Sequence, residues 1–456
     1  VLSAPEITVG RDAGNDIVLP DDVVSRRHLL LRRVAGGYEM TALSATNGVR
    51  VGGELVQSRV LRDGDVLSIA GEVTLRYHVA AAATEETAPR ALSLALDRRR
   101  PVLIGRGEDC DLRLDHPAIS LHHVRITPLG GGYTITDLGS TNGTYVNAER
   151  LARDVPRPID PNDVILVGPV RLDLAADSLA VVDQSRHIGL VARGLNRRVS
   201  ERLNLLHDIS FAVEPQEFVA VVGVSGAGKS TLLGAMSGLR PATEGEVLLN
   251  GTTLYDHFQA FRSVLGYVPQ DDILHKELPV EKALEYTAEL RLPDDARSSE
   301  RHSRVDEVVQ TLGLGERRDT PIGALSGGQR KRVSIGAELI TRPGLFFLDE
   351  ATSGLDPGIE SQLMKLLRSL ADDGHTIVLI THATKNVMLC DQVLFLARGG
   401  YLAYFGPPDQ ALTYFEVDSF DGIYERLEAE LTPEEWGARY RRSSQYQEFV
   451  AGRLGS

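Results

Sequence analysis

The chain has 456 residues, and 42% of them are apolar, so it is long and hydrophobic enough to bury several separate cores. Its formal net charge of −14 at pH 7, with no basic stripe carrying interleaved aromatic residues, argues against a nucleic acid as its main partner. Cys110 and Cys390 are its only cysteines; they are far apart and lack CxxC spacing, which is typical of a reducing compartment.

The first 175 residues contain an internal repeat with an offset of 95 positions. Short apolar runs alternate with Gly, Asn and Asp turns in both copies, a pattern typical of β-sandwiches. The matched segments are Gly10-Arg11 with Gly105-Arg106, Ser25-Arg-Arg-His28 with Ser120-Leu-His-His123, and Thr46-Asn47-Gly48 with Thr141-Asn142-Gly143.

The Gly-Arg, Ser-x-x-His and Thr-Asn-Gly segments at these spacings resemble forkhead-associated (FHA) domains, a family of β-sandwiches that bind phosphothreonine. A phosphothreonine carries about −1.5 to −2 charge and three acceptor oxygens, which arginine, serine and loop amides can bind. The resemblance implies a first pocket of Arg11, Ser25, Arg26, Thr46 and Asn47, and a second of Arg106, Ser120, Thr141 and Asn142. We expect His28 and His123 to brace the loops.

The two copies differ at two pocket positions, and either could also be a sandwich that has lost ligand binding. The first copy has Ala45 where the second has Ser140, and the second has Leu121 where the first has Arg26. We assign residues 1–78 and 91–175 to the two sandwiches and residues 79–90 and 176–186 to linkers. Thr84 and Thr87, in the first linker, either are phosphorylated and bind an FHA pocket of another chain or belong to a plain solvated linker.

A phosphate-binding loop follows the predicted strand from Phe218 to Val222. Its sequence runs from Gly223 to Thr231, opens a predicted helix and matches the P-loop pattern. Its glycines let backbone amides approach phosphate oxygens, and the positive end of the helix faces the anion. The predicted ATP-binding residues of this segment are Gly223, Ser225, Gly226, Gly228, Lys229, Ser230 and Thr231.

Four further motifs follow the P-loop in a fixed order. Gln270 lies in a Tyr-Val-Pro-Gln segment, and Leu325-Ser-Gly-Gly-Gln329 precedes a predicted helix from Arg330 to Ile340. Apolar strands then end in Asp349-Glu350 and, after Thr376 to Ile380, in Thr381-His382. Together with the P-loop, this order resembles the ATPase domain of ABC transporters over about residues 187–410.

The chemistry of ATP and the resemblance assign roles to these residues. Hard oxygens suit Mg²⁺, so Ser230 and Gln270 are its predicted ligands, with Asp349 holding a coordinated water. We expect Glu350 to be the general base and His382 to contact the γ-phosphate.

The resemblance also implies that the signature motif acts in trans. Its predicted ATP-binding residues are Ser326, Gly327, Gly328 and Gln329. The signature helix should present unsatisfied amides to the ATP held by another subunit, which implies a homodimer through the ATPase domains. Val199 stands where many such domains have an aromatic residue under adenine, so Arg197 or Arg198 could assist there.

The sequence therefore predicts a multidomain chain with two all-β sandwiches followed by an α/β P-loop ATPase domain, residues 187–412, with a helical subdomain at Val280 to Leu290 and Ser299 to Leu312. Segments around Gln270 and the signature motif resemble the G-type exporters, and two FHA domains ahead of them resemble actinobacterial FHA-containing exporters. This resemblance implies that residues 413–456 are a helical connector to transmembrane helices outside this chain. The start at Val1 and the polar, helix-prone tail from Pro433 to Ser456 lead us to expect a fragment.

This resemblance implies a soluble part located at the cytoplasmic face of the plasma membrane, with phosphothreonine peptides or a Ser/Thr protein kinase as partners. Three alternatives stay open: the ATPase subunit of an importer, a soluble ABC ATPase of translation or repair, and a phosphothreonine-binding adaptor with a weak ATPase.

Overall fold

We describe the protein from a computed structural model, which divides into two compact units, residues 1–90 and 91–456. The structure describes residues 6–12, 15–19, 24–34, 37–43, 48–51, 54–61, 66–69, 73–76, 92–175, 177–183, 187–271, 273–382 and 386–455. The linker predicted at residues 79–90, including Thr84 and Thr87, and the predicted pocket residues Thr46 and Asn47 lie outside the described residues.

In the residues that the structure describes, the first unit is a β-sandwich of nine short strands. Two layers, in the orders β2-β1-β3-β4-β7 and β6-β5-β8-β9, enclose a core that includes Val9, Leu29, Met40 and Ile69. Their strand pairs are antiparallel except β1 with β2, which is parallel. Alternation of buried and exposed side chains along these strands is what a sheet with one solvated face requires. The strands are β1 Glu6–Gly10, β2 Ile17–Val18, β3 Leu29–Val34, β4 Gly37–Ala42, β5 Val49–Val51, β6 Glu54–Val56, β7 Ser58–Val60, β8 Val66–Ile69 and β9 Val73–Arg76.

The second sandwich repeats this strand order, and its second layer also contains β10 and β20. Its layers run β12-β11-β13-β14-β17 and β10-β20-β19-β18-β15-β16. The strands are β10 Leu92–Ala95, β11 Val102–Gly105, β12 Leu112–Arg113, β13 Val124–Leu129, β14 Gly132–Asp137, β15 Thr144–Val146, β16 Glu149–Arg150, β17 Arg157–Ile159, β18 Ile165–Val167, β19 Val170–Ala175 and β20 Ser178–Asp183.

The prediction of a linker over residues 176–186 is therefore wrong for its central part. Residues 178–183 form β20, which pairs antiparallel with β19 on one side and with β10 on the other. The apolar residues Leu179 and Val181 face the core of the second sandwich, so this segment completes that domain.

The second unit also holds an α/β domain built on a six-stranded sheet in the order β28-β29-β30-β25-β31-β32. All neighbours in it are parallel except the last pair, and an antiparallel sheet, β24-β21-β26-β27, and a hairpin, β22-β23, accompany it. The strands are β21 Leu190–Asn196, β22 Arg198–Ser200, β23 Leu203–Asn204, β24 Ile209–Val213, β25 Phe218–Gly223, β26 Glu244–Leu249, β27 Thr252–Thr253, β28 Leu265–Val268, β29 Leu345–Leu348, β30 Thr376–Ile380, β31 Gln392–Ala397 and β32 Tyr401–Gly406.

The helices confirm the predicted P-loop helix, signature helix and helical subdomain. Parallel strands are buried on both faces and read as continuous apolar runs, which is why β25, β29 and β30 were predictable. The helices are α1 Lys229–Met236, α2 Phe258–Phe261, α3 Val280–Arg291, α4 Ser298–Thr311, α5 Gly327–Leu339, α6 Pro357–Asp372, α7 Pro408–Phe415, α8 Phe420–Ala429, α9 Pro433–Arg441, α10 Ser444–Tyr446 and α11 Gly452–Leu454, with 3₁₀ turns at Gly315–Arg317, Ile322–Ala324 and Val387–Leu389 and a π turn at Gln447–Ala451.

The second sandwich is packed onto the α/β domain. Tyr145 and Leu166 of the sandwich belong to the same continuous apolar core as the strands of the α/β domain. A polar contact joins them as well, because Arg171 Nη1 donates to Thr252 Oγ1 at 3.4 Å.

The carboxyl-terminal helices pack against β32. Trp436 and Tyr440 of α9 are fully buried, and the Tyr440 hydroxyl donates to the Phe405 carbonyl oxygen. Within the described part of the chain, no helix combines the length and the apolar character that a membrane span requires.

Candidate functional site

The P-loop connects β25 to α1, and its shape depends on glycine at two positions. Gly228 caps α1 with a left-handed φ of 92°, which side chains with a Cβ rarely adopt. A Cβ on Gly223 would lie 2.5 Å from the Leu396 carbonyl oxygen. The loop can therefore pass close to β31 and turn its amides towards one point at the start of α1.

Lys229 is buried at the first position of α1, and its ammonium lies inside the loop. Its Nζ donates to the carbonyl oxygens of Gly223 at 2.9 Å and Val224 at 3.1 Å. Burial lowers the pKa of Lys229, against the opposing charges of Glu350 and Asp349. A lysine in this position is placed to meet the phosphates of a bound nucleotide.

The two carboxylates after β29 face different partners. Asp349 Oδ1 accepts from the Ser230 hydroxyl at 3.2 Å, and its Oδ2 accepts from the Tyr267 hydroxyl at 3.4 Å. Burial raises the pKa of Asp349, and the nearby charge of Glu350 raises it further, although the hydrogen bond from Ser230 works in the opposite direction. Asp349 therefore joins the first turn of α1 to the end of β29.

Glu350 lies at the centre of the remaining predicted catalytic residues. Its Oε2 accepts from Gln270 Nε2 at 3.1 Å, and its Oε1 is 3.0 Å from His382 Nε2. The residue has a left-handed φ of 47°, an unusual conformation for a non-glycine residue that is characteristic of functional sites. Two residues from segments far apart in sequence, Gln270 and His382, thus converge on the Glu350 carboxylate.

The signature motif begins α5. The sequence predicted unsatisfied amides at this helix start, but two of them have hydrogen-bond partners within the motif. Gln329 N donates to the Ser326 hydroxyl at 3.3 Å, and Ser326 N donates to Gln329 Oε1 at 3.0 Å. This reciprocal capping box satisfies two amides within the motif. A Cβ on Gly328 would lie 2.1 Å from Ile359 Cγ2, so this glycine allows α5 to approach α6.

The position expected to hold an aromatic residue under adenine is an aliphatic hairpin. Val199 is 60% exposed in β22, and Leu203 is 50% exposed in β23. The two arginines considered for this role have other partners: Arg197 Nη1 donates to the Pro241 carbonyl oxygen, and Arg198 Nε pairs with Glu244 at 2.9 Å.

The two sandwich pockets are built on the same hydrogen bonds, displaced by 95 residues. In the first, Arg11 N donates to Ser25 O at 3.0 Å, and Ser25 N donates to His28 Nδ1 at 3.0 Å. In the second, the equivalent bonds join Arg106 N to Ser120 O at 2.9 Å and Ser120 N to His123 Nδ1 at 3.2 Å. Both imidazoles lie near a glycine carbonyl through Nε2, so they brace the pocket loops, as expected.

The structure brings the four predicted residues of the second pocket together. Thr141 N donates to the Ser120 hydroxyl at 3.2 Å, Asn142 Nδ2 donates to Ala118 O at 2.7 Å, and Arg106 Nε donates to Ile119 O at 3.0 Å. In the first pocket, the described residues Arg11 and Arg26 are exposed and Ser25 is half-buried.

The replacement of Ser140 by Ala45 in the first copy is one of two linked differences. Ser140 donates to Asp137 Oδ2 at 2.6 Å, and Thr144 donates to the same oxygen at 2.7 Å. In the first copy, the position of Asp137 is occupied by Ala42. The hydroxyl and its acceptor are therefore absent together, and no buried carboxylate is left without a donor.

Sequence reasoning missed the residues that contact the second pocket from the α/β domain. Leu121 N donates to Asp295 Oδ2 at 2.7 Å, and Arg106 pairs with Asp295 at 3.4 Å and with Glu300 at 2.9 Å. An open cavity of about 1000 Å³ lies beside these contacts. The only sequence signal was the pair Asp294-Asp295 between two predicted helices, which is common in exposed turns.

Comparisons with known proteins agree with these two kinds of site. The family model for the ABC transporter domain matches residues 206–353, and the model for the FHA domain matches residues 7–70 and 102–168. The ABC transporter ATP-binding/permease protein Rv1747 of Mycobacterium tuberculosis is 41% identical over 68% of this chain and 36% of its own length. ABC transporter G family member 28 of Arabidopsis thaliana is 36% identical over 50% of this chain and 21% of its own length.

A solved structure of cbiO1 from Clostridium perfringens, described as part of an ABC transporter complex, is 28% identical, with a TM-score of 0.46 over 55% of this chain and 98% of that chain. The chain thus spans about a third or less of the length of the two curated relatives named above.

Proposed function

Because this chain carries two FHA domains ahead of the ATP-hydrolysing domain of an ABC transporter, we propose that it is the cytoplasmic part of a G-type exporter. In this proposal it hydrolyses ATP as a dimer and is regulated by phosphothreonine recognition. The name of the mycobacterial relative, an ATP-binding/permease protein, supports a membrane part in the same polypeptide. An exporter is favoured over an importer subunit because the similarity extends to G family members.

The observation that carries the ATPase proposal is the environment of Glu350. A general base must accept a proton from the attacking water and must be held in place by its neighbours. Gln270 and His382 both contact this carboxylate, while Asp349 is held by Ser230 on the P-loop helix. We infer that Glu350 polarises the water and that His382 orients both the carboxylate and the γ-phosphate.

The residues around the P-loop fit ATP with Mg²⁺. The Ser230 hydroxyl and the amide oxygen of Gln270 are the hard oxygen ligands that Mg²⁺ prefers, and the Asp349 carboxylate would hold a coordinated water. When bound, the ion would neutralise charge on the phosphates. Lys229 would bind the β- and γ-phosphates, and the amides of residues 223–231 would surround them.

A second subunit completes the proposed site. This chain has one P-loop and one signature motif, and an isologous dimer would place the Ser326 end of α5 against ATP held by its partner. The amides of Gly327 and Gly328 are the donors that remain for the γ-phosphate after the capping box has engaged those of Ser326 and Gln329.

The substitution Glu350→Gln tests the ATPase proposal. We expect turnover to fall by roughly 10²- to 10⁴-fold, while ATP still binds and holds a dimer that size-exclusion chromatography detects. Glu360→Gln is the matched control, because Glu360 lies on α6 and accepts from Asn386. Unchanged turnover in Glu350→Gln would show that another residue is the base.

For the FHA domains, we propose that at least one copy binds phosphothreonine peptides produced by a Ser/Thr protein kinase. The first pocket would use Arg11, Ser25 and Arg26, with Thr46 and Asn47. The second would use Arg106 and Ser120, with Thr141 and Asn142. Retention of a degenerate phosphothreonine peptide library but not of its unphosphorylated counterpart tests this, with Ser25→Ala and Ser120→Ala assigning the copy. Equal retention of both libraries would reject phosphothreonine recognition.

A further inference from the structure

We propose that the acidic turn, residues 293–297 between α3 and α4, is together with Glu300 an internal ligand of the second FHA pocket. A phosphothreonine peptide would then bind this pocket only by displacing the acidic turn. The inference rests on the proposed phosphothreonine recognition, and it adds an occupant of the same pocket from within the chain.

Four contacts carry the inference. Asp295 accepts from the Leu121 amide at 2.7 Å and pairs with Arg106 Nη2 at 3.4 Å. Glu300 pairs with Arg106 Nη1 at 2.9 Å, and the amide of Asp294 donates to Thr141 Oγ1 at 3.2 Å. The carboxylates of the turn and of Glu300 therefore occupy a guanidinium and a loop amide, which are donors expected to recognise a phosphothreonine, and the Asp294 amide engages the oxygen of the Thr141 hydroxyl.

The charges make the turn a competitor of phosphate. The Arg106 side chain is only 12% exposed, and two carboxylates already contact it. A phosphate brought to the same guanidinium while both remain would meet two like charges at short range. Partial burial acts to raise the pKa of Glu300, but hydrogen bonds from the Arg297 amide and Arg106 outweigh it and lower the pKa below its usual 4.5. This carboxylate is therefore ionised at neutral pH.

A phosphothreonine is the stronger ligand for these donors. It brings about −1.5 to −2 charge and three oxygens on one group, whereas the turn offers separate single charges. The cavity of about 1000 Å³, lined by Arg106, Ser120 and Asp295, opens the pocket to a peptide. The turn thus raises the concentration of phosphothreonine peptide that is needed for binding, but it does not close the site permanently.

Displacement of the turn would act on the signature helix, because the turn is joined to it on both sides. Before the turn, Arg291 at the end of α3 makes two hydrogen bonds to Glu338 of α5, at 2.7 and 2.6 Å. After it, Arg304 Nε of α4 donates to the Ile340 carbonyl oxygen at 3.0 Å, directly beyond α5. Binding at the second FHA pocket is thereby linked to the element that would contact ATP in trans.

The test uses the full chain with Arg11→Ala and Arg26→Ala, which together remove both arginines of the first pocket, and bead-bound degenerate phosphothreonine peptides as the probe. Asp295→Ala should lower the peptide concentration at half-saturation about three- to tenfold. The apparent dissociation constant equals the intrinsic constant divided by the fraction of open pockets, and the substitution raises that fraction. The matched control is Asp109→Asn, which removes a carboxylate that also lines the cavity but pairs with His122 at 2.7 Å. The control should change binding less than twofold. Hydrogen exchange at residues 293–300 should also rise when the library is added.

The outcomes separate the two proposals. If Asp295→Ala and Asp109→Asn bind the library equally, the pocket is not occupied from within, while phosphothreonine recognition stands. If neither the parent chain nor Asp295→Ala retains the phosphorylated library, phosphothreonine recognition by the second copy fails, and the internal ligand loses its role with it. Unchanged exchange at residues 293–300 during binding would also overturn displacement.

Discussion

The ion pair between Arg291 and Glu338 is the contact whose loss we expect to have the largest consequence in the helical subdomain. Its geometry is bidentate, and Glu338 is only 10% exposed, while Arg291 is 37% exposed. Burial works to lower the pKa of Arg291, but its bonds to Glu338 prevail and raise it, so the guanidinium stays charged. Arg291→Met removes the cation and leaves a nearly buried carboxylate.

The magnitude follows from the exposure of the two groups. Removing one partner of a fully buried pair costs about 3 to 5 kcal/mol, whereas exposed pairs contribute about 1 kcal/mol or less. Solvent reaches Arg291, and Glu338 keeps the Tyr267 amide as a donor at 3.3 Å. We therefore expect Arg291→Met to destabilise the ATPase domain by about 1 to 3 kcal/mol. Adding Glu338→Gln should recover most of this loss, since it removes the uncompensated charge.

Urea unfolding monitored by tryptophan fluorescence measures this effect selectively. Trp436 is the chain's one tryptophan and is fully buried in the core of the ATPase domain. A shift of the midpoint at constant slope reports a change of stability. Arg193→Met is the control, because Arg193 pairs with Glu246 at 3.3 Å where both side chains are more than 40% exposed. The reasoning is refuted if Arg291→Met shifts the midpoint no more than the control, or if Glu338→Gln restores nothing.

Two further predictions concern the adenine position and the second sandwich. Val199→Tyr should tighten ATP binding about two- to tenfold by stacking, as measured by calorimetry against Val199→Leu; equal affinities would place the adenine elsewhere. Burial acts to raise the pKa of Asp137, but hydrogen bonds from Ser140 and Thr144 prevail and lower it below 3.8. The ionised carboxylate therefore stabilises the folded sandwich fully above about pH 4, and this contribution is lost as the pH falls towards the lower, folded-state pKa. The protection of the β14 amides against hydrogen exchange, relative to the intrinsic rate at each pH, should therefore fall more steeply below about pH 4 in the parent chain than in Asp137→Asn. Parallel profiles of protection against pH would contradict this.

Local sequence patterns predicted the strands that position the proposed catalytic residues. β25, β29 and β30 are continuous apolar runs, and each predicted polar group stands where its strand ends, which brings Asp349, Glu350 and His382 to one edge of the sheet. The repeat was visible because both copies need the same turns: a Cβ on Gly10 or Gly105 would lie 2.3 or 2.2 Å from a backbone oxygen of the facing loop.

What the sequence did not reveal depends on contacts between distant segments. No local pattern identifies Ser178–Asp183 as a strand, because its partner, Leu92–Ala95, lies 83 or more residues earlier in the sequence. The capping of Gln329 by Ser326 was overlooked because the motif was read only as a ligand for phosphate. The approach of Asp295 to Leu121, across 174 residues, has no local pattern at all.

The acidic turn also has a physical route to the carboxylates of the proposed catalytic site. Arg291, four residues before Asp295, holds Glu338, and Glu338 accepts from the Tyr267 amide at 3.3 Å. The Tyr267 hydroxyl in turn donates to Asp349 at 3.4 Å. Contiguous contacts transmit a signal only if one of their elements has two arrangements. The turn supplies these, bound to Arg106 or displaced by a phosphothreonine, and its outward movement would pull on Arg291. If this route operates, Arg291→Met should leave the binding of phosphothreonine peptides intact while removing their effect on ATP turnover, whereas Asp295→Ala in the parent chain should give the displaced-state turnover without any peptide.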